Sequence, residues 1–356
     1  MREILHDVSR WLSTGRSDIA IATVLQTFGS APRKEGAKLA YLSSGSLSGS
    51  ISGGCVESAI LDEATEVLRS GIPKIVHFDT SDDDAWEVGL PCGGSIDVRV
   101  EPLNPVIFEF CRSLIERNER IVQITVISAG RAAENRTLAV GSSGESAGDM
   151  PEELKQRALM VAKDARASGR MMLDDQTELF VDVIQPVPTL VIVGGVHTAM
   201  ALVRMARVLG FKTVVIDPRQ TFSAAERFPE VDRLIDEWPQ KAFELAPLTA
   251  DCAIVVLTHD PKLDDPALEV ALRSEAFYVG ALGSVRTQQK RRVRLGALGF
   301  NEAALSRIHG PVGLDIGSVS PEQVALSILT EIVAVMNGRD GEIPQKRLAS
   351  SDRITV

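Results

Sequence analysis

Apolar positions recur along this chain with two different periods. In residues 3–13 Ile4, Leu5, Val8, Trp11 and Leu12 fall three or four apart, the spacing of one helix face. Residues 20–27 form a near-continuous apolar run and read as a strand. A polar loop follows at 29–38, and the segment 43–55 is dense in Gly and Ser. A helical pattern opens at Cys55 and stops at Gly71, the residue type that most readily takes the left-handed turn of a helix end. Residues 75–78 and 96–103 read as strands separated by an acidic loop, and 104–185 reads as helix, strands, helix and strands. The stretch AVGSSGESAGDMPEE within it reads as a surface loop. No internal repeat stands out.

Beyond Pro186 and Pro188 the pattern changes to strands alternating with helices. Strands are predicted at 189–194, 212–217, 232–236, 252–257 and 276–280. This alternation implies a parallel sheet covered on both faces. The last helix opens at Ser320, with Pro321 at its first position and Gln323 at its third, a capping-box signature. The predicted organisation is α/β: a mixed α+β domain over 1–187, a Rossmann-like doubly wound parallel-sheet domain over 188–338, and a mobile tail over 339–356.

Composition narrows the function classes. The 356 residues are 44% hydrophobic, enough for two cores, and the formal net charge is −10. That balance excludes a general nucleic-acid binder. The first residues carry Arg2, Glu3 and Asp7 where a signal peptide would be apolar, and the run TLVIVGGV is far below the ~20 residues of a membrane span. A cytoplasmic protein with no membrane association is expected. Of four cysteines, Cys111 and Cys252 sit in apolar surroundings and read as core thiols; Cys55 and Cys92 sit among glycines.

Those glycine-flanked cysteines are the first candidate site. A thiol at a helix start, in a loop rich in backbone N–H groups, is favoured as the thiolate, which is both nucleophile and soft metal ligand. Arg33 and Lys34 on the neighbouring polar loop add positive charge. The alternative, two small residues in tight turns, stays open on these grounds.

The second candidate site is TLVIVGGVHTAMALVRMARVLGFKTVVIDPR, laid out as strand, glycine turn, helix, strand and acid. Gly194 makes the tight turn, and Asp217 stands where a ribose-binding acid is expected. Val196 replaces the glycine that lets backbone approach a pyrophosphate, so a nicotinamide nucleotide fits poorly unless Gly195 shifts the turn. Three further loops follow sheet strands: Thr258, His259 and Asp260; Gly280, Gly283, Ser284 and Arg286; and His309 with Gly313 and Asp315. Ligands of open α/β sheets bind at such strand ends. Histidines 197, 259 and 309 lack any local metal-ligand spacing.

Taken in order, GSAPRKEGAK, GSISGGCVE, GLPCGGSIDVRVEP, IVGGVHTAMAL, LGFKTVVIDPR, RFPEVD, LTHD, YVGALGSVRT and RIHGPVGLDIGSVSPEQVALSILTEIVA resemble the xanthine dehydrogenase accessory (XdhC/CoxI) family over residues 15–337. The resemblance implies a maturation chaperone, not a turnover enzyme. Such a chaperone binds molybdenum cofactor (molybdopterin), protects it while a separate cysteine desulfurase installs the sulfido ligand, and inserts it into a molybdenum hydroxylase of the xanthine, aldehyde or carbon monoxide dehydrogenase type. It also implies a homodimer. Carried onto this chain, the cofactor-binding residues are Arg33, Gly53, Gly54, Cys55, Glu57, Cys92, Gly93 and Gly94 in the first domain. In the second they are Gly194, Gly195, His197, Asp217, Arg219, Thr258, His259, Asp260, Gly280, Gly283, Ser284, Arg286, Gly313 and Asp315. Cys55 and Cys92 are the candidates for contact with molybdenum or its sulfur. An NAD(P)-dependent oxidoreductase and a non-catalytic assembly scaffold are the competing readings.

Overall fold

The computed structural model describes residues 1–29, 33–52, 56–78, 94–128 and 134–339. Its contacts divide the chain into two units, 1–186 and 187–356.

The first unit opens with α1 (Arg2–Ser13), whose Ile4, Val8 and Trp11 are buried, as their spacing requires. It continues with β1 (Ile19–Phe28), β2 (Lys38–Leu42), β3 (Ser46–Gly49), α2 (Glu57–Ser70), β4 (Lys74–Phe78) and β5 (Ser95–Pro102). These five strands make an antiparallel sheet in the order β3-β2-β1-β5-β4. The helix predicted from Cys55 begins two residues later, with Val56 as N-cap, and ends at Gly71 in the left-handed conformation, φ +70°. The Gly/Ser segment read as a loop contains β3. Its alternation is carried by small polar residues, which periodicity does not detect.

The chain then repeats the whole arrangement. α3 (Pro105–Glu116) leads into β6 (Ile121–Ser128), β7 (Thr137–Gly141), β8 (Ser146–Gly148), α4 (Glu152–Asp164), β9 (Gly169–Met172) and β10 (Glu178–Ile184). This second sheet has the order β8-β7-β6-β10-β9, the first order over again. The registers superpose too. Thr23 pairs with Lys38 and Arg99, and Thr125 pairs with Thr137 and Phe180. The repeat invisible to periodicity is therefore real, and residues 139–153 are strand and helix as much as loop.

The duplication shows most clearly in the sequence of one stretch. Between 38–49 and 137–148 the residues Leu39/Leu138, Ala40/Ala139, Ser43/Ser142, Ser44/Ser143, Gly45/Gly144 and Gly49/Gly148 match at a constant offset. Gly49 and Gly148 both have positive φ, and a Cβ on either would collide with a backbone carbonyl, of Lys38 and of Thr137 respectively. Backbone closeness requires glycine at both positions, whereas the strand residues around them face no such constraint.

Each sheet buries one face under its own helix. Val24, Val98 and Val100 pack with Ile60, Ala64 and Val67 of α2, and Ile124, Val126 and Leu179 pack with Ala158 and Ala162 of α4. The other faces share one core with α1 and α3, in which Cys111 is fully buried. The same unit holds a buried polar pair: Lys38 of β2 meets Asp182 of β10 at 2.9 Å, both almost wholly buried.

The second unit is a six-stranded parallel sheet. Its strands are β11 (Thr189–Val193), β12 (Lys212–Ile216), β13 (Arg233–Ile235), β14 (Cys252–Val256), β15 (Tyr278–Ala281) and β16 (Ile308–His309). The order β13-β12-β11-β14-β15-β16 is the doubly wound Rossmann order, with its switch point between β11 and β14. α5 (His197–Val208) and α10 (Pro321–Met336) cover one face. α6 (Pro239–Leu245), α7 (Pro261–Arg273) and α8 (Val285–Ala297) cover the other, and the short α9 (Glu302–Leu305) precedes β16. All five predicted strands are present with ends shifted by a residue or two. β16 was not predicted, because two residues carry no period. Ser320 and Gln323 close the expected capping box.

Candidate functional site

In the first unit the strand registers gather three loops. Thr23 pairs with Lys38, Leu39 with Gly49, Phe28 with Ser95, and Phe78 with Ile96. The described strand residues Phe28, Lys38, Gly49, Phe78 and Ser95, which flank the segments 29–37, 50–56 and 79–94, therefore lie toward one end of the sheet. Gly53, Gly54, Cys55, Cys92 and Gly93 lie outside the described residues. What surrounds them is anchored. The Glu57 carboxylate, in the first turn of α2, accepts from Ser50 Oγ at 3.0 Å, from the Ile51 and Ser52 amides at 3.3 and 3.1 Å, and from Ser52 Oγ. It thus ties down the segment that enters the Cys55 loop. Glu35 does the same for the first loop, accepting from the Thr27 amide at 3.0 Å and its hydroxyl at 2.7 Å. Arg33 is ion-paired to Glu3. Gly94 is buried where β5 begins.

The duplication gives these loops a reference. The second repeat joins β8 to α4 through 149–151 and β9 to β10 through 173–177. The first repeat uses 50–56 and 79–94 at the same two places. The extra residues of the first repeat are thus the segments that hold Cys55 and Cys92.

Cys111 and Cys252 are buried, as expected of core thiols. Burial pushes the Cys111 thiol up to about 12. The thiolate is the reactive form. Treatment of the native protein with a thiol reagent at pH 8 should therefore leave Cys111 and Cys252 unmodified in peptide maps. Rapid modification of either would show that this core is open.

In the second unit the loops at the carboxyl ends of the strands are held by three buried carboxylates. Asp217, after β12, accepts from the Gly195 amide at 2.8 Å, from the Arg219 amide at 3.0 Å and from the Arg219 guanidinium at 2.8 and 2.6 Å. Burial raises its carboxyl pKa, but the bonds from Arg219 and Gly195 outweigh this and hold it below the ordinary range. Asp264 of α7 accepts from Thr258 Oγ1 and pairs with Arg291 of α8 at 2.8 Å. Here burial wins and Asp264 is raised. Arg291 and Gln288 in turn donate to Leu282 and Ala281 carbonyls, fixing the loop after β15. Glu331 of α10 accepts from Tyr278 Oη at 2.6 Å and the Gly313 amide at 2.7 Å, and stands 3.4 Å from His309 Nδ1. Burial raises it, and these partners more than offset the rise.

The predicted residues take their places on these staples. Gly194, φ +110°, sits at the switch point, where a Cβ would lie 2.6 Å from Thr258 Cγ2. His197, His259, Asp260, Ser284, Arg286 and Asp315 are exposed. His259 holds a positive φ of 63°, an uncommon conformation for a residue other than glycine. Asp260 and Ser284 cap α7 and α8. Gly280, Gly283 and Gly313 are close-approach positions beside Val312, Thr287 and Ser327. Among the described residues no group of three His, Cys, Asp or Glu is placed to hold a metal ion. Sequence reading missed Asp264, Arg291 and Glu331. They lie inside helices whose apolar period hides them, and only a charged residue on a buried stripe could have signalled them.

The family description "XdhC and CoxI family" matches residues 11–79, and "XdhC Rossmann domain" matches 190–332. The chain is similar to a probable xanthine dehydrogenase subunit of Bacillus subtilis (strain 168), at 26% identity over 92% of this chain and 96% of that one. It is also similar to the molybdenum cofactor insertion chaperone PaoD of Escherichia coli (strain K12), at 25% identity over 94% of this chain and 88% of that one. A solved structure of a xanthine dehydrogenase from Bacillus halodurans superposes with a TM-score of 0.74 at 23% identity, covering 98% of both chains; at that identity it speaks for the fold.

Proposed function

Because the chain belongs to the XdhC/CoxI family, we propose that it binds molybdenum cofactor as cargo and delivers it to a xanthine dehydrogenase-type molybdenum hydroxylase. The observation that carries this reading is the near end-to-end match to a relative named as a molybdenum cofactor insertion chaperone.

The chemistry of the candidate loops agrees. Thiols at Cys55 and Cys92, in segments longer than their counterparts in the second repeat, suit a soft metal–sulfur centre. Glycine-dense backbone suits a phosphate, which takes donors from main-chain N–H groups. Arg33, committed to Glu3, contributes its charge only if that pair opens. Sulfuration by a separate cysteine desulfurase, and action as a homodimer, belong to the same proposal. Among the described residues no helix is long and apolar enough to cross a membrane.

Cys55→Ala tests the central claim. Protein purified from a molybdate-fed host should carry molybdenum and pterin, and Cys55→Ala should lose most of both while remaining folded. Cys111→Ala, altering only a buried core thiol, should keep them. Unchanged molybdenum content in folded Cys55→Ala would remove Cys55 from the site, and absence of molybdenum and pterin from the unaltered protein would sink the reading itself.

A further inference from the structure

The acid at the end of the second strand of a Rossmann domain ordinarily receives the two ribose hydroxyls of a dinucleotide. In this chain that acid is already full. A carboxylate offers about four lone-pair sites. Asp217 accepts four hydrogen bonds, two on Oδ1 from the Arg219 amide and Nε, and two on Oδ2 from the Gly195 amide and Arg219 Nη2. The residue is 1% exposed. We propose that Arg219 is a specificity-determining residue of this crevice, excluding dinucleotide ribose by occupying Asp217.

The surrounding geometry makes the exclusion rigid. The guanidinium forms a two-bond fork with the carboxylate, the geometry in which arginine is held most firmly. Its flat face lies over the Phe222 ring, 4.1 Å to the centroid, and Arg227 approaches the same ring at 5.4 Å. The Phe222 and Ser223 amides donate back to the Arg219 carbonyl at 2.7 and 3.1 Å, closing a tight turn. That turn places the Phe222 carbonyl against the Gly195 backbone, where any Cβ would strike it. Residues 219–222 therefore lie against the glycine turn from the side of the acid. Val196, the N-cap of α5, adds a side chain where a pyrophosphate needs bare backbone. A ribose taking both carboxylate oxygens would have to break both bonds of the fork.

This inference rests on the proposed function in one respect: the cargo is not a nicotinamide nucleotide. Titration calorimetry of the full chain with NAD and with NADP tests it. The unaltered protein should show no saturable binding of either at millimolar nucleotide. Val196→Gly opens the pyrophosphate position, and Val196→Gly with Arg219→Ala should bind NAD at least about tenfold more tightly than Val196→Gly alone, a difference of about 1.4 kcal/mol. Arg219→Lys in the same background keeps a positive charge beside Asp217 but frees one of the four acceptor sites. It should give a smaller gain, and it decides the matter if the alanine variant does not fold. Equal NAD affinity with and without the Arg219 substitution overturns the proposal. So does tight NAD binding by the unaltered protein, or a preference for NADP lost in Arg219→Ala, which would make Arg219 a phosphate receptor. Molybdenum content measured on the same preparations reports on the chaperone reading separately, because the nucleotide titrations stand whether or not molybdenum is found.

Discussion

Asp264→Ala should cost about 3–5 kcal/mol and lower the unfolding midpoint of the second unit by roughly 6–20 °C. The Asp264 and Arg291 side chains are 2% and 1% exposed, so the substitution leaves a guanidinium buried without its counter-charge. Thr258 loses its acceptor in the same step, which loosens the loop that faces Gly194. Replacing both partners, Asp264→Ala with Arg291→Met, removes the stranded charge. It should be less destabilising than the single change, although Ala leaves a small cavity. Thermal and urea unfolding of the three proteins gives the comparison. A single variant within about 1 kcal/mol of the unaltered protein would mean that water reaches Arg291 and the pair is not a true staple.

Lys38→Met should have a comparable effect in the first unit, for a different structural reason. Lys38 lies in the first repeat and Asp182 in the second, 144 positions apart in sequence, with side chains 3% and 5% exposed. Lys38 Nζ also donates to Thr23 Oγ1 at 3.0 Å. Removing the ammonium leaves the Asp182 carboxylate with Ser168 Oγ at 3.3 Å as its side-chain donor, at a cost of about 3–5 kcal/mol. Lys38→Met with Asp182→Leu should recover most of that loss, since an apolar pair of similar volume tolerates burial. If the double variant is no more stable than Lys38→Met, the pair is not coupled, and the two repeats are held by their shared apolar core alone.

The sequence by itself determined most of the elements and the class of fold. Strand and helix periods, the stop at Gly71, the Ser320 capping box and the change of pattern after Pro186 all follow from short-range physics, in which each residue is read against neighbours three or four positions away. The glycine at the switch point was legible for the same reason, because a tight turn between strand and helix needs it locally. The tertiary structure decided what depends on distant partners. The duplication shows in sequence most clearly at 38–49 and 137–148, where backbone closeness constrains glycine, and more weakly in β1 and β6. Elsewhere any apolar residue of suitable size serves a sheet face, and the match decayed. Asp217 looked like an open ribose acceptor until Arg219 and Gly195 were seen to fill it. Asp264, Glu331 and the Lys38–Asp182 pair looked like ordinary helix or strand polar residues. Their partners lie 27, 53 and 144 residues away. A buried charge is tolerated only where the fold brings its counter-charge, and no local period records where that will be.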